Sequence, residues 1–349
     1  PDAEGGGSGW IVYVETVLRR IARNFPGARM GADVAFVSDL PRASGLSSSS
    51  ALVVSIYTVL AAVNRLEDRA DFRRNIETSE DLAHYLGCVE NGYAFRTLPG
   101  ERGVGTLGGS EDHTAILCCR AGLLSSYSYC PVRAEGTTPL PAGWTFVVGV
   151  SGIASDKTGS AREAYNRASR SATAVLELWN LATGRADPTL AAAAASAPDA
   201  PDRIRDVVRY RRHPEFSGEA LLDRFDHFFE ESERLVPSAA DAFAREDGEA
   251  LSRIVDRSQE RAERLLGNQI PETITLARSA RNLGAFAASA FGGGFGGSVW
   301  ALVPSARADF FRADWQSDYR RRFPAAEKSE FFTTAAGPGR IEISGSAPA

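Results

Sequence analysis

Chemistry is first legible where a run of hydroxyl side chains stands in front of an apolar segment. Ser44-Gly-Leu-Ser-Ser-Ser-Ser-Ala51 leads into Leu52-Val-Val-Ser-Ile-Tyr-Thr-Val-Leu-Ala-Ala-Val63, which reads as a buried helix. The first turn of a helix carries N–H groups without partners and about half a unit of positive charge. Gly45 permits a turn closed to other residues, and the serines add caps and donors. Such a run binds anions, phosphate first among them. A plain serine cap would look the same, so the run gains meaning only beside others.

Two further stretches supply that company. Ser289-Ala-Phe-Gly-Gly-Gly-Phe-Gly-Gly-Ser298 precedes the strand-like Val299-Trp-Ala-Leu-Val303. Five glycines in six residues, flanked by apolar segments, imply close backbone approach and not a linker. Gly108-Gly-Ser-Glu-Asp112-His-Thr-Ala sets an acidic pair behind a glycine turn. By itself, an aspartate after glycines is usually a turn residue.

In this order the three stretches resemble the GHMP kinases, and within them the galactokinase and N-acetylgalactosamine kinase branch. The family's G-L-S-S-S-A loop is similar to Gly45-Leu-Ser-Ser-Ser-Ser50-Ala, its G-x-x-D-Q to Gly109-Ser-Glu-Asp112-His113, and its G-x-G-F-G-G to Gly292-Gly-Gly-Phe-Gly-Gly297. Trp10-Ile-Val-Tyr13-Val, Cys88-Val-Glu90-Asn91 and Glu163-Ala-Tyr165-Asn-Arg167 resemble its nucleotide-side, metal-side and sugar-side segments.

The resemblance implies an α+β, two-domain GHMP-kinase-like fold. Its N-terminal domain would be ribosomal-protein-S5-like, its C-terminal domain helix-rich. It also implies ATP and Mg2+ as cofactors and phosphorylation of the anomeric hydroxyl of galactose or a related sugar. Asp112 would be the base. Gly45, Leu46, Ser47, Ser48, Ser49 and Ser50 would hold ATP, with Trp10 at the adenine. Ser49 and Glu90 would bind the metal, and Gly109, Asp112 and Tyr165 the sugar. Gly292, Gly293, Gly294, Gly296 and Gly297 would support the site. A catalytically silent sugar and nucleotide sensor of the same fold is the alternative.

Departures accompany the match. His113 replaces glutamine, Val53 stands where many galactokinases carry glutamate, and Arg96–Gly103 lengthens the path from Glu90 to Asp112. The family's first motif, R-x-N-L-I-G-E-H-T-D-Y, which supplies an arginine beside the aspartate, has no counterpart in this sequence. Without it, weak catalysis and an apolar edge near Trp10 and Val34 are expected.

The elements that must position these residues follow from length and pattern. At 349 residues, 44% hydrophobic and 24% charged, the chain has ample core for two domains, expected at 1–150 and 151–349. A net charge of −5 argues against nucleic acid or an anionic membrane as partner. A small-molecule sugar substrate and a monomer or weak homo-oligomer are expected. No long apolar span and no secretory signal is visible. Cys88, Cys118, Cys119 and Cys130 lack zinc spacing, and the four histidines are scattered, so reduced thiols and a cytoplasmic location are expected.

Residues 10–25 and 51–66 read as helices, and strands are expected at 33–37, 117–119, 123–129 and 144–150. From 160 the pattern turns helical, over 161–181, 219–244, 248–266, 272–283 and 306–323. The Ala- and Pro-rich stretch 183–201 reads as a mobile loop or short helix. Strand signals return at Ala287, 298–303 and 341–343. Gly152–Thr158 falls short of a P-loop, and Glu4–Gly9 looks like a loop or junction.

Overall fold

The computed structural model describes residues 9–155, 161–341 and 343, so Glu4–Ser8 and residues 156–158 of the weak P-loop-like stretch lie outside the described residues. The chain divides into two compact units, one of Pro1–Asp39, Ser47–Leu140 and Ala335–Ala349, the other of Leu40–Leu46 and Pro141–Thr334. The division falls ahead of residue 150 because the strand at Trp144–Val150 pairs with strands of the second unit.

The first unit is built on helices. α1 (Ile11–Asn24), α2 (Ser48–Val63), α3 (Ala70–Asn75), α4 (Ser79–Asn91) and α5 (Glu111–Cys118) precede a hairpin of β1 (Leu123–Ser128) and β2 (Arg133–Pro139). In α1, Tyr13, Val17 and Ile21 recur at four-residue spacing and, with Phe25, bury one stripe against Val53, Ile56, Tyr57 and Leu60 of α2 and Tyr85, Leu86 and Val89 of α4. Each such fully buried side chain contributes about 1.5–3 kcal/mol. Thr78 caps α4 by accepting from the Asp81 N–H.

Two expected strands are not strands. Residues 33–37 run without regular structure, with Phe36 and Val37 exposed. β-forming side chains do not make a strand until a neighbour supplies the ladder. Residues 117–119 end α5, whose first turn is braced by the Thr114 hydroxyl donating to the Ser110 carbonyl.

The second unit pairs a sheet with two layers of helices. Its strands β3 (Trp144–Val150), β4 (Ala287–Ala290), β5 (Ser298–Pro304) and β6 (Glu330–Thr334) form an antiparallel sheet in the order β4-β5-β3-β6. Val147 faces Ala301 and Gly149 faces Val299 in register. The helices are α6 (Arg162–Thr183), α7 (Leu190–Ala194), α8 (Ala200–Tyr210), α9 (Gly218–Glu230), α10 (Val236–Ala244), α11 (Gly248–Arg261), α12 (Pro271–Asn282) and α13 (Ala308–Arg322). Leu276 and Ala280 of α12 and Phe311, Trp315 and Tyr319 of α13 cover Val147, Val299, Ala301 and Phe331 of the sheet. A second core joins Val175 and Trp179 of α6 to Ile204, Val208, Leu221 and Phe225.

The stretch read as mobile is anchored in that second core. Leu190, Ala193, Ala194 and Ala200 are buried, and small side chains let α7 and α8 pack closely. The two long helices expected at 219–244 and 248–266 each contain one π-turn, at Glu231–Leu235 and Ala262–Leu266. Among the described residues the last strand is β6, with Phe331 buried; of the stretch 341–343, Ile341 and Ile343 carry no strand and are exposed, and Glu342 lies outside the described residues.

Trp315 dictates one position in the sheet. Its indole N–H bonds the Leu276 carbonyl and the Ser279 hydroxyl, and its ring fills the space over Gly149. A Cβ on Gly149 would lie 2.9 Å from the Phe331 ring and 3.0 Å from the Trp315 ring. Gly149→Ala is expected to lower stability by about 1–3 kcal/mol in urea unfolding. Gly143→Ala, with open space at its Cβ, should leave the midpoint nearly unchanged.

Candidate active site

Three helices of the first unit bring its acidic and hydroxyl groups together. α2 opens behind Ser47, held at φ 58° in the left-handed region. Strain of this kind in a non-glycine residue collects at functional turns. Ser48, Ser49 and Ser50 form the first turn, where N–H groups lack intrahelical partners. Ser50 points inward and is almost fully buried. Its hydroxyl lies 3.2 Å from Oε2 of Glu90 and 3.4 Å from Oδ2 of Asp112. It is Ser50, one residue beyond the expected Ser49, that reaches Glu90. A helix turns by about 100° per residue, so the two hydroxyls face different ways.

One hydroxyl hydrogen serves one carboxylate at a time. Two carboxylates sharing a serine repel each other when both are ionised, and a bound cation relieves that repulsion. Glu90 sits near the C-terminal end of α4 and Asp112 in the first turn of α5. The α5 dipole favours a carboxylate where Asp112 stands; the α4 dipole disfavours one where Glu90 stands.

Gly87 sets the approach of these helices. A Cβ there would lie 2.7 Å from Cβ of Ser110, so glycine alone lets the start of α5 rest on α4. Asn91 adds a pin, accepting from the Gly108 N–H at 2.6 Å and donating to the Gly87 carbonyl at 2.8 Å. The lengthened connection is folded. Asn24 donates to the Pro99 carbonyl and Asn75 accepts from the Thr97 N–H, while the Arg20 guanidinium donates to the Tyr93 carbonyl. Burial lowers the pKa of Arg20, and neighbouring Tyr85 and Cys88 oppose the shift. Burial also pushes the Cys88 thiol up to about 11, which keeps it neutral and unreactive.

His113 lies beside this group, although the four histidines looked scattered in sequence. Its Nε2 is 3.2 Å from Oε2 of Glu90, yet out of line for a hydrogen bond, and neither ring nitrogen has a hydrogen-bond partner. The ring is 1% exposed. The signal available in the sequence was the replacement of the family's glutamine. Gly109, ahead of Asp112, has an open Cβ position. Trp10 is 55% exposed and stacks edge-on against Phe36, which makes it a surface ring and not a core anchor.

The glycine motif belongs to the second unit, as do Ser44, Gly45 and Leu46. Ser298 at the start of β5 donates to the Ser44 carbonyl at 2.7 Å. Gly297, at φ 86°, would place a Cβ 2.6 Å from that carbonyl oxygen. The Ser155 N–H bonds the Ala43 carbonyl, and the Ser155 hydroxyl bonds the Gly294 carbonyl. Gly297 therefore packs closely under Ser44 and Gly45, while Gly293, Gly294 and Gly296 pack on Tyr165, Asn268 and Ile153–Ala154 and Gly292 faces open space. Asn268, which sequence reasoning missed, anchors the motif by accepting from the Phe295 N–H and lying against Gly294. Tyr165 of α6 packs its ring on Gly293, where a side chain would collide with it.

The first unit thus holds a serine-opened helix beside an acidic pair, and the second unit a glycine motif packed close to its neighbours. Residues 12–94 match the GHMP kinases N terminal domain, and residues 239–321 match GHMP kinases C terminal. A galactokinase of Chloroflexus aggregans is 28% identical over 320 residues, covering 90% of this chain and 71% of that protein. A galactokinase of Roseiflexus sp. is 26% identical over 313 residues, covering 89% and 70%. The structure of Lactococcus lactis galactokinase complexed with galactose superimposes with a TM-score of 0.71 at 20% identity, covering 98% of this chain and 78% of that one. The two matched segments are those of the N- and C-terminal GHMP kinase domains, and the relatives found along most of the chain's length are galactokinases.

The glycine motif yields a direct test. Gly297→Ala is expected to push the Ser44 carbonyl away and to weaken ATP binding about tenfold or more, the cost of about 1–3 kcal/mol of overpacking. Gly31→Ala, whose Cβ would meet open space at an ordinary φ, should bind within about threefold of wild type by calorimetry, a few tenths of a kcal/mol.

Proposed function

We propose that this protein is an ATP-dependent sugar kinase that phosphorylates the anomeric hydroxyl of galactose or a related sugar. The observation that carries this reading is the Ser50 hydroxyl held between the carboxylates of Glu90 and Asp112. A structural cap would need neither acid, and a half-buried pair of acids around one hydroxyl is costly without a ligand to use it.

Each residue then has a task. The N–H groups of the Gly45–Ser50 loop donate to the nucleotide phosphates. Asp112 accepts the proton of the sugar hydroxyl as its oxygen attacks the terminal phosphorus of ATP, and the bond to the leaving ADP oxygen breaks. Tyr165 and Gly109 are assigned to the sugar side by resemblance. The donor set fits a divalent cation: Glu90 and Ser50 offer oxygens, and the crowded carboxylates call for positive charge. When bound, Mg2+ neutralises charge on the phosphates. Free Cys88, Cys118, Cys119 and Cys130 support a cytoplasmic setting.

Asp112→Asn keeps the shape and removes the base. Turnover of galactose is expected to fall about a hundredfold to ten-thousandfold, with ATP affinity retained. An unchanged rate would remove Asp112 from this role. Sugar and nucleotide binding by wild type without sugar-dependent ADP release would instead identify a silent sensor.

A further inference from the structure

His113 is used by nothing in the mechanism above. A buried imidazole with neither nitrogen hydrogen-bonded is costly, because each polar atom has given up water without a hydrogen bond in return. Oε2 of Glu90 lies 3.2 Å from Nε2. The two atoms do not point along the line that joins them, as the absence of a hydrogen bond at that distance shows. Adjacent ligands of one cation sit in this way. With bonds of about 2.1 Å at a right angle, two donors lie about 3.0 Å apart, each aimed at the metal and not at the other.

We propose that His113 supplies, through Nε2, a nitrogen ligand to the divalent cation at Glu90, so that this site favours Mn2+ over Mg2+. The proposal rests on the kinase reading, in which Glu90 holds the cation. Among the described residues no three His, Cys, Asp or Glu side chains close round a cation unaided. Glu90 and His113 are therefore two ligands, Ser50 lies within reach of Glu90, and phosphate oxygens and water complete the shell. Imidazole nitrogen binds Mn2+ and later first-row ions better than the hard Mg2+, which prefers oxygen. Glutamine at position 113, as in the family pattern, offers only an amide oxygen.

The test is electron paramagnetic resonance of Mn2+ bound to the full chain with ADP. Pulsed spectra of wild type are expected to show coupling to a directly bound imidazole nitrogen. His113→Gln should abolish the coupling and lower Mn2+ affinity about ten- to a hundredfold, with a smaller loss for Mg2+ and unchanged affinity for metal-free ADP. Because the nitrogen signal is read on wild type, it does not depend on the variant folding. Bound Mn2+ without nitrogen coupling would overturn the proposal and reduce His113 to packing behind Glu90, leaving the kinase reading intact. Mn2+ affinity unchanged in Glu90→Gln would overturn the cation assignment itself, and this proposal with it.

Discussion

Gly87 and Ser110 touch where two helices would otherwise be held apart by a side chain, and the first unit's site is organised by that contact. With no Cβ on Gly87, the start of α5 lies on α4 and the acidic first turn of α5 comes within reach of Glu90. Asn91 then fixes the turn before Asp112 to the end of the same helix. Ser50 completes the group from a third helix, whose apolar face is locked into the core by Val53, Val54 and Tyr57. A small shift in any of the three helices would separate hydroxyl from carboxylate, since hydrogen bonds weaken steeply with distance and angle.

The second unit applies the same device to backbone. Gly297 leaves no room for a side chain against Ser44 and Gly45, and Ser298 ties the Ser44 carbonyl to the start of β5. That strand is stiff because it lies inside an antiparallel sheet covered by α12 and α13. A loop that must present N–H groups needs such a bed, since a mobile loop would have to be ordered each time a ligand bound. Asn268 extends the support from the far side.

Polar groups inside the first unit follow a different economy. Arg20 is buried with neutral hydrogen-bond partners, Asn24 accepting one N–H and the Tyr93 carbonyl another, and the Glu101 carboxylate acts on it only as a weaker electrostatic neighbour. Tyr85 donates to the same Asn24 oxygen. This cluster holds the connection between Glu90 and Asp112 in one shape, so a segment longer than the family pattern does not behave as a slack loop.

How much was legible depended on whether the signal was local. The anion loop, the acidic turn, the glycine motif and the long helices α1, α2, α6, α12 and α13 were readable because turn chemistry and apolar periodicity act over a few residues. The family and fold class followed from three such motifs in order. Tertiary structure alone decided the rest. It selected Ser50 over Ser49 as the partner of Glu90, because helix phase is set by which side chains the core claims. It turned 117–119 into the end of a helix and left 33–37 unpaired, because a strand exists only where a neighbour offers a ladder. It brought His113 against Glu90, residues far apart in sequence whose proximity comes from the packing of α4 on α5. Local sequence determines what each segment prefers, and only the closing of the core determines which preferences meet.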